Sequence, residues 1–132
     1  MTNGSKANKT GHVAEQAVAC LLREHKIKFK HHSVVGKTIY GTPLKCDFVL
    51  EKLKILIEVK WQQSAGSVDE KYPFTVACLK LQKEYRSIIV VDGGNQRVAA
   101  IEWLKKQIDE KLIGVYSVSE FIVFLNNWGL HD

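Results

Sequence analysis

At 132 residues, 45% hydrophobic and 25% charged, the chain fits one compact domain with its own core. A net charge of +5 admits a polyanionic partner without requiring one, since surface lysines alone give such a balance. Three widely spaced cysteines (Cys20, Cys46, Cys78) with no Cys-x-x-Cys suggest neither a zinc site nor a disulfide framework, and no apolar run approaches a membrane span.

Residues 1–10 are polar, small and basic and read as a flexible basic arm, with 11–132 as a single domain. Ala14, Ala17, Val18, Leu21 and Leu22 recur at helical spacing, which predicts a helix over 11–25. Residues 27–35 look extended, and Gly41-Thr42-Pro43 is turn chemistry. Two apolar strands follow, over 44–50 and 54–60. A two-residue turn at Lys52-Leu53 would set Glu51 opposite Lys54, Val49 opposite Leu56 and Asp47 opposite Glu58. Because side chains alternate along a strand, Asp47, Glu58 and Lys60 would then share one face. Cys46, Phe48, Leu50, Ile55, Ile57 and Val59 would take the other, as core.

Residues 62–70 read as a polar loop and 74–85 as a helix. The almost wholly apolar stretch 87–91 predicts an interior strand buried on both faces. Asp92-Gly93-Gly94-Asn95 is a turn; it lacks the pattern of a phosphate loop. A helix over 98–111, a strand over 113–116 and a helix over 118–127 complete the order α-β-β-β-α-β-α-β-α. This order implies an α/β fold: a mixed sheet with an antiparallel meander and a parallel extension, flanked by helices. The cysteines have apolar neighbours and read as buried thiols of a reducing cytoplasm.

The residues that carry chemistry are Glu15, Asp47, Glu58 and Lys60. Glu-x-Lys alone is uninformative, and Glu24-His25-Lys26 repeats it at a helix end. Glu58-Val59-Lys60 differs in placement: it ends an apolar strand directly after a strand carrying a lone Asp. Ionised groups on a central sheet need a partner or a metal to offset desolvation. The spacing is equally compatible with a surface hairpin held by a salt bridge from Lys60 to Asp47 or Glu58. His31 and His32 are adjacent, so on a regular strand they would point to opposite faces and could not readily chelate together. His12, three residues before Glu15, reads as polar surface, and Trp61 as a packing residue.

A helix bearing Glu15, a strand with Asp47, then Glu58-Val59-Lys60 on the next strand resembles the PD-(D/E)XK nuclease superfamily over about residues 11–91. Cys46 stands where the name-giving proline would. The resemblance implies a restriction-endonuclease-like core and an Mg2+-dependent DNA endonuclease in which Mn2+ substitutes. A metal-activated water would hydrolyse the phosphodiester and leave 5'-phosphate and 3'-hydroxyl ends. Asp47, Glu58 and the Val59 carbonyl would hold the metal. Lys60 would contact the attacking water or the scissile phosphate, with Glu15 assisting from its helix. Gln62, Gln63, Gly66 and Lys71 would contact DNA or support the site. A homodimer would address both strands of a duplex, with Phe121, Ile122, Phe124, Leu125 and Trp128 of the last helix as its interface or, alternatively, as core. The competing expectation is a noncatalytic DNA-binding or assembly module on the same fold.

Overall fold

A computed structural model describes residues 3–61, 69–94 and 96–127, with side chains from His12 onward. Helix α1 spans Asn3–Glu24, β1 Lys30–Lys37, β2 Pro43–Leu50 and β3 Ile55–Trp61. After a single 3-10 turn at Asp69–Lys71 come α2 (Tyr72–Leu81), β4 (Arg86–Asp92), α3 (Val98–Lys106), β5 (Leu112–Tyr116) and α4 (Val118–Asn127). The element order is the expected one. The five strands form one sheet in the order β1-β2-β3-β4-β5. Neighbours are antiparallel from β1 to β3 and parallel from β3 to β5.

This topology dictates the layers. The β3-α2-β4 and β4-α3-β5 crossovers step the same way across the sheet, so crossovers of one hand place α2 and α3 on one face. There Tyr72, Val76, Leu79 and Leu104 pack on Val49, Leu56, Ile89, Val91, Leu112 and Val115. Helices α1 and α4 lie outside the crossovers and cover the opposite face. Ala14, Val18, Leu22, Phe121 and Leu125 meet Phe48, Leu50, Ile55, Ile57, Ile88 and Val90 there. Strand β4 supplies residues to both layers, as an interior strand must.

Several boundaries differ from expectation for local reasons. Helix α1 begins at Asn3, inside the expected arm, because no proline interrupts 3–10 and Lys6, Ala7 and Lys9 favour helix. It ends in a Schellman-type cap: Lys26 takes φ 58° and the Ile27 N–H donates to Leu22 O. That closure uses residues expected in β1 and folds Ile27 into the core. Pro73 fits the first turn of α2, which starts earlier than expected. Helix α3 stops at Lys106, and Asp109 then accepts from the amides of Lys111 and Leu112, turning the chain into β5. Ser117 and Glu120 form a reciprocal capping box at α4. Asp92, in the glycine turn, accepts from the Val118 amide, so this turn is helix-capping structure.

Cys20 is exposed while Cys46 and Cys78 are buried, so the expectation of three buried thiols holds for two. Cys20 falls off the stripe of α1 that carries Val18 and Leu22. Phe121 and Leu125 are core and Ile122 is exposed, so the last helix uses its main apolar stripe to close the domain. Trp128 lies outside the described residues.

One side chain ties the α2–β4 connection down. Lys111 Nζ donates to the carbonyls of Gln82 (2.5 Å), Tyr85 (2.6 Å) and Lys83 (3.2 Å). Charge-assisted bonds of this kind outweigh neutral ones, so Lys111→Met should lower stability by about 2 kcal/mol. Urea unfolding followed by circular dichroism measures the loss; an unchanged midpoint would mean that water replaces the ammonium at no cost.

Candidate active site

The site is built where β2 and β3 part. Their ladder runs from Leu50↔Ile55 through Val49↔Leu56 to Phe48↔Ile57. The register is the expected one, although the turn is longer: Glu51–Lys54 are all turn residues, with Lys54 at φ 58°. Lys-Leu cannot readily supply the two positive φ angles of a tight two-residue turn, and the wider turn keeps the same centre. Beyond Phe48↔Ile57, side chains take over the bonding. The Asp47 N–H donates to Glu58 Oε1 and the Val59 N–H donates to Asp47 Oδ2, both at 2.8 Å. Each carboxylate thus orients the other's segment of strand.

Lys60 Nζ lies 3.5 Å from Glu58 Oε2. Glu15 reaches in from α1, where its carboxylate neighbours Asp47 and lies 3.1 Å from His32 Nε2. The four expected residues therefore meet, but at a seam and not on one flat face. Asp47 neighbours Glu15 from the α1 layer. Glu58 neighbours Cys46, which packs with Val49 and Leu56 in the α2/α3 layer and not, as expected, with Phe48. Strict alternation lapses at Cys46 because the β2–β3 ladder has ended.

Burial dominates the electrostatics. Glu58 is 9% exposed. Desolvation, then the neighbouring Asp47 charge, pushes its carboxyl up to about 7. Desolvation likewise raises Asp47 to about 6, the Val59 amide opposes it, and Glu15 adds to the rise. Burial and Glu58 raise Cys46 well above the thiol range, so it stays a neutral packing group. Two carboxylates held this way are poised for a cation, which removes their mutual repulsion.

The family model for a PD-(D/E)XK nuclease superfamily domain matches residues 6–129. The chain belongs to the PD-(D/E)XK nuclease superfamily. No curated protein and no solved structure matches it. The mixed sheet flanked by helices is consistent with the restriction-endonuclease-like fold of that superfamily. PD-(D/E)XK proteins are usually nucleases and generally use divalent metals, so the membership implies a nucleic acid substrate. Among the described residues, no helix is long and apolar enough to cross a membrane.

The donor set of this candidate site fits a hard dication. Asp47 and Glu58 each commit one oxygen to an amide and hold a second oxygen toward a neighbouring side chain, His32 for Asp47 and Lys60 for Glu58. Other expected positions are placed less closely. Lys71 is exposed at the head of α2, and Gln62, Gln63 and Gly66 lie outside the described residues. His12 is exposed beside Gln16, and Trp61 packs against the α1-side core, both as expected.

Two features escape a reading of the sequence. Asp69, 4% exposed, accepts from the Arg97 amide and pairs with its guanidinium, joining the start of α2 to the start of α3; in sequence it sits in a polar loop. His31 and His32 do not diverge. His32 takes φ 52°, and the two rings stack with centroids 4.1 Å apart. Left-handed backbone at His32 cancels the alternation on which their separation depended. The pairing of His31 with Phe48 and of Ser33 with Cys46 sets His32 opposite Asp47, and that register is the signal that would have drawn it to the site.

Proposed function

We propose that this chain is an Mg2+-dependent DNA endonuclease. The reading rests on one observation: across a parting seam the Asp47 amide donates to Glu58 and the Val59 amide donates to Asp47, with Lys60 and Glu15 each beside one of these carboxylates. A structural salt bridge would not bury two carboxylates with raised affinity for protons and leave them to repel. Asp47, Glu58 and the Val59 carbonyl would hold Mg2+, and Mn2+ would substitute. When bound, the cation supplies charge against the phosphodiester and acidifies coordinated water.

The protein's own groups do the rest. Lys60 Nζ would hydrogen-bond a nonbridging phosphate oxygen or the attacking water, and it faces Glu58 at 3.5 Å. Glu15 would act on Asp47 from the adjoining helix. Attack of water at phosphorus in line with the bond to O3' breaks that bond. The products are a 5'-phosphate and a 3'-hydroxyl. Gln62, Gln63 and Gly66, which follow Lys60 in the chain, and Lys71 are proposed DNA contacts. A homodimer would serve both strands of a duplex, and the exposed Ile122 and Val123 on α4 offer it a surface. The buried free thiols Cys46 and Cys78 agree with a cytoplasmic protein.

The test is incubation with supercoiled plasmid and with a four-way DNA junction, in Mg2+, Mn2+ or EDTA. Nicking of either DNA that requires the metal, with 5'-phosphate ends, supports the reading. Binding of both DNAs with no cleavage under any metal would replace it with a noncatalytic DNA-binding module. Preference for plasmid or junction separates a restriction-like role from a junction-resolving one.

A further inference from the structure

Glu15, His31 and His32 each offer a ligand atom, and these atoms all lie within 4.8 Å of one another. The geometry points to a second metal site here, which we propose takes a first-row transition dication such as Zn2+, Co2+ or Ni2+ in preference to Mg2+. It adjoins the carboxylate pair through Glu15 but uses neither Glu58 nor Lys60.

Four observations carry it. Glu15 Oε2 is 3.1 Å from His32 Nε2 and 3.4 Å from His31 Nε2. Metal–ligand bonds of about 2.1 Å set neighbouring ligands about 3.0–3.4 Å apart in octahedral or tetrahedral coordination, so both edges already have the right length. His31 Nε2 is buried and makes no hydrogen bond among the described residues; its 3.4 Å approach is to Glu15 Oε2, within the cluster itself. The His31 ring is held by stacking on Phe48, with centroids 4.6 Å apart and planes at 11°. His32 Nδ1 faces Asp47 Oδ1 at 3.8 Å; ligand histidines commonly turn their second nitrogen toward a carboxylate in this way.

The backbone has been bent to make the arrangement. A positive φ on a non-glycine residue within a strand is strained and persists only where the surroundings impose it. Here its effect is to bring two adjacent imidazoles, which a regular strand would separate, onto one carboxylate. The choice of ion follows from the donors. Imidazole suits zinc, cobalt and nickel, whereas Mg2+ demands oxygen ligands and sheds water reluctantly.

Co2+ is the probe, because its visible absorption reports coordination without any need for cleavage. Glu58→Gln weakens the carboxylate site, so the titration is made in that background with metal-stripped protein. Glu58→Gln should still bind Co2+ with a visible band, and millimolar-range Mg2+ should not displace it. Adding His32→Asn, which tolerates the left-handed backbone, or His31→Asn should weaken Co2+ by about tenfold or more. The His32 ring is partly exposed, so that variant keeps the test sound if loss of the His31 stack impairs folding. Equal Co2+ affinity with and without the imidazoles would overturn the proposal, as would displacement by Mg2+ at comparable concentration. Loss of DNA cleavage alone would leave this result untouched, so the two readings fail separately.

Discussion

Replacing Lys60 by Ala should lower metal-dependent DNA cleavage by about 10²–10³-fold, the usual cost of removing one donor aimed at developing charge. The fold should survive the change. The Lys60 side chain is about a quarter exposed and gives up only its ion pair with Glu58, so thermal stability should move little. Glu58→Ala should abolish cleavage at least as completely, because it removes a proposed metal ligand and also leaves the Asp47 amide without its acceptor. DNA binding measured in EDTA should persist for Lys60→Ala. Cleavage by Lys60→Ala at the rate of the unaltered protein would remove the lysine from the mechanism. Equal cleavage by both variants would point to a contaminating nuclease.

The second large effect is on stability. In the unfolded chain Asp and Glu ionise near pH 4, whereas folded Asp47 and Glu58 hold protons to about 6 and about 7. Between those limits the folded state binds more protons than the unfolded one. Stability therefore falls as pH rises through that window, and these two groups contribute most below about pH 4. The cost at pH 8 is on the order of a few kcal/mol, since every tenfold gain in proton affinity on folding is worth about 1.4 kcal/mol. Metal-free protein should melt several degrees higher at pH 5.5 than at pH 8. A dication favours the ionised pair, so Mg2+ should raise the melting temperature more at pH 8 than at pH 5.5. Glu58→Gln keeps an oxygen for the Asp47 amide and removes the buried charge. It should melt above the unaltered protein at pH 8 without metal, and its pH dependence should be flatter. Differential scanning calorimetry in chelator decides the matter; a melting temperature indifferent to pH in both proteins would mean that the carboxylates are better solvated than their burial implies.

Much of the fold was legible because it rests on local periodicity. The stripe of Val18 and Leu22, the apolar run at 87–91 and the alternation of 54–60 each belong to one element, and each formed where expected. The β2–β3 register was legible for a similar reason: a hairpin fixes its own pairing about its centre, so a four-residue turn gave the same partners as a two-residue one. Element ends were less so. Ile27 reads as strand but closes the Schellman-type cap of α1, a choice settled by the core that receives its side chain.

By itself, then, the sequence determined the element order, the mixed sheet, and the meeting of Asp47 with Glu58 and Lys60 on one hairpin. Short-range spacing carries all of that. The tertiary structure alone decided three things. It brought Glu15 to Asp47, because α1 must cover the face that α2 and α3 leave bare. It turned each carboxylate into the acceptor for an amide of the opposite strand, because the strands part after Phe48↔Ile57 and their amides need acceptors. It set His31 and His32 together on Glu15 through one left-handed residue. These depend on contacts between segments distant in the chain and on a single backbone angle, which no residue pattern records.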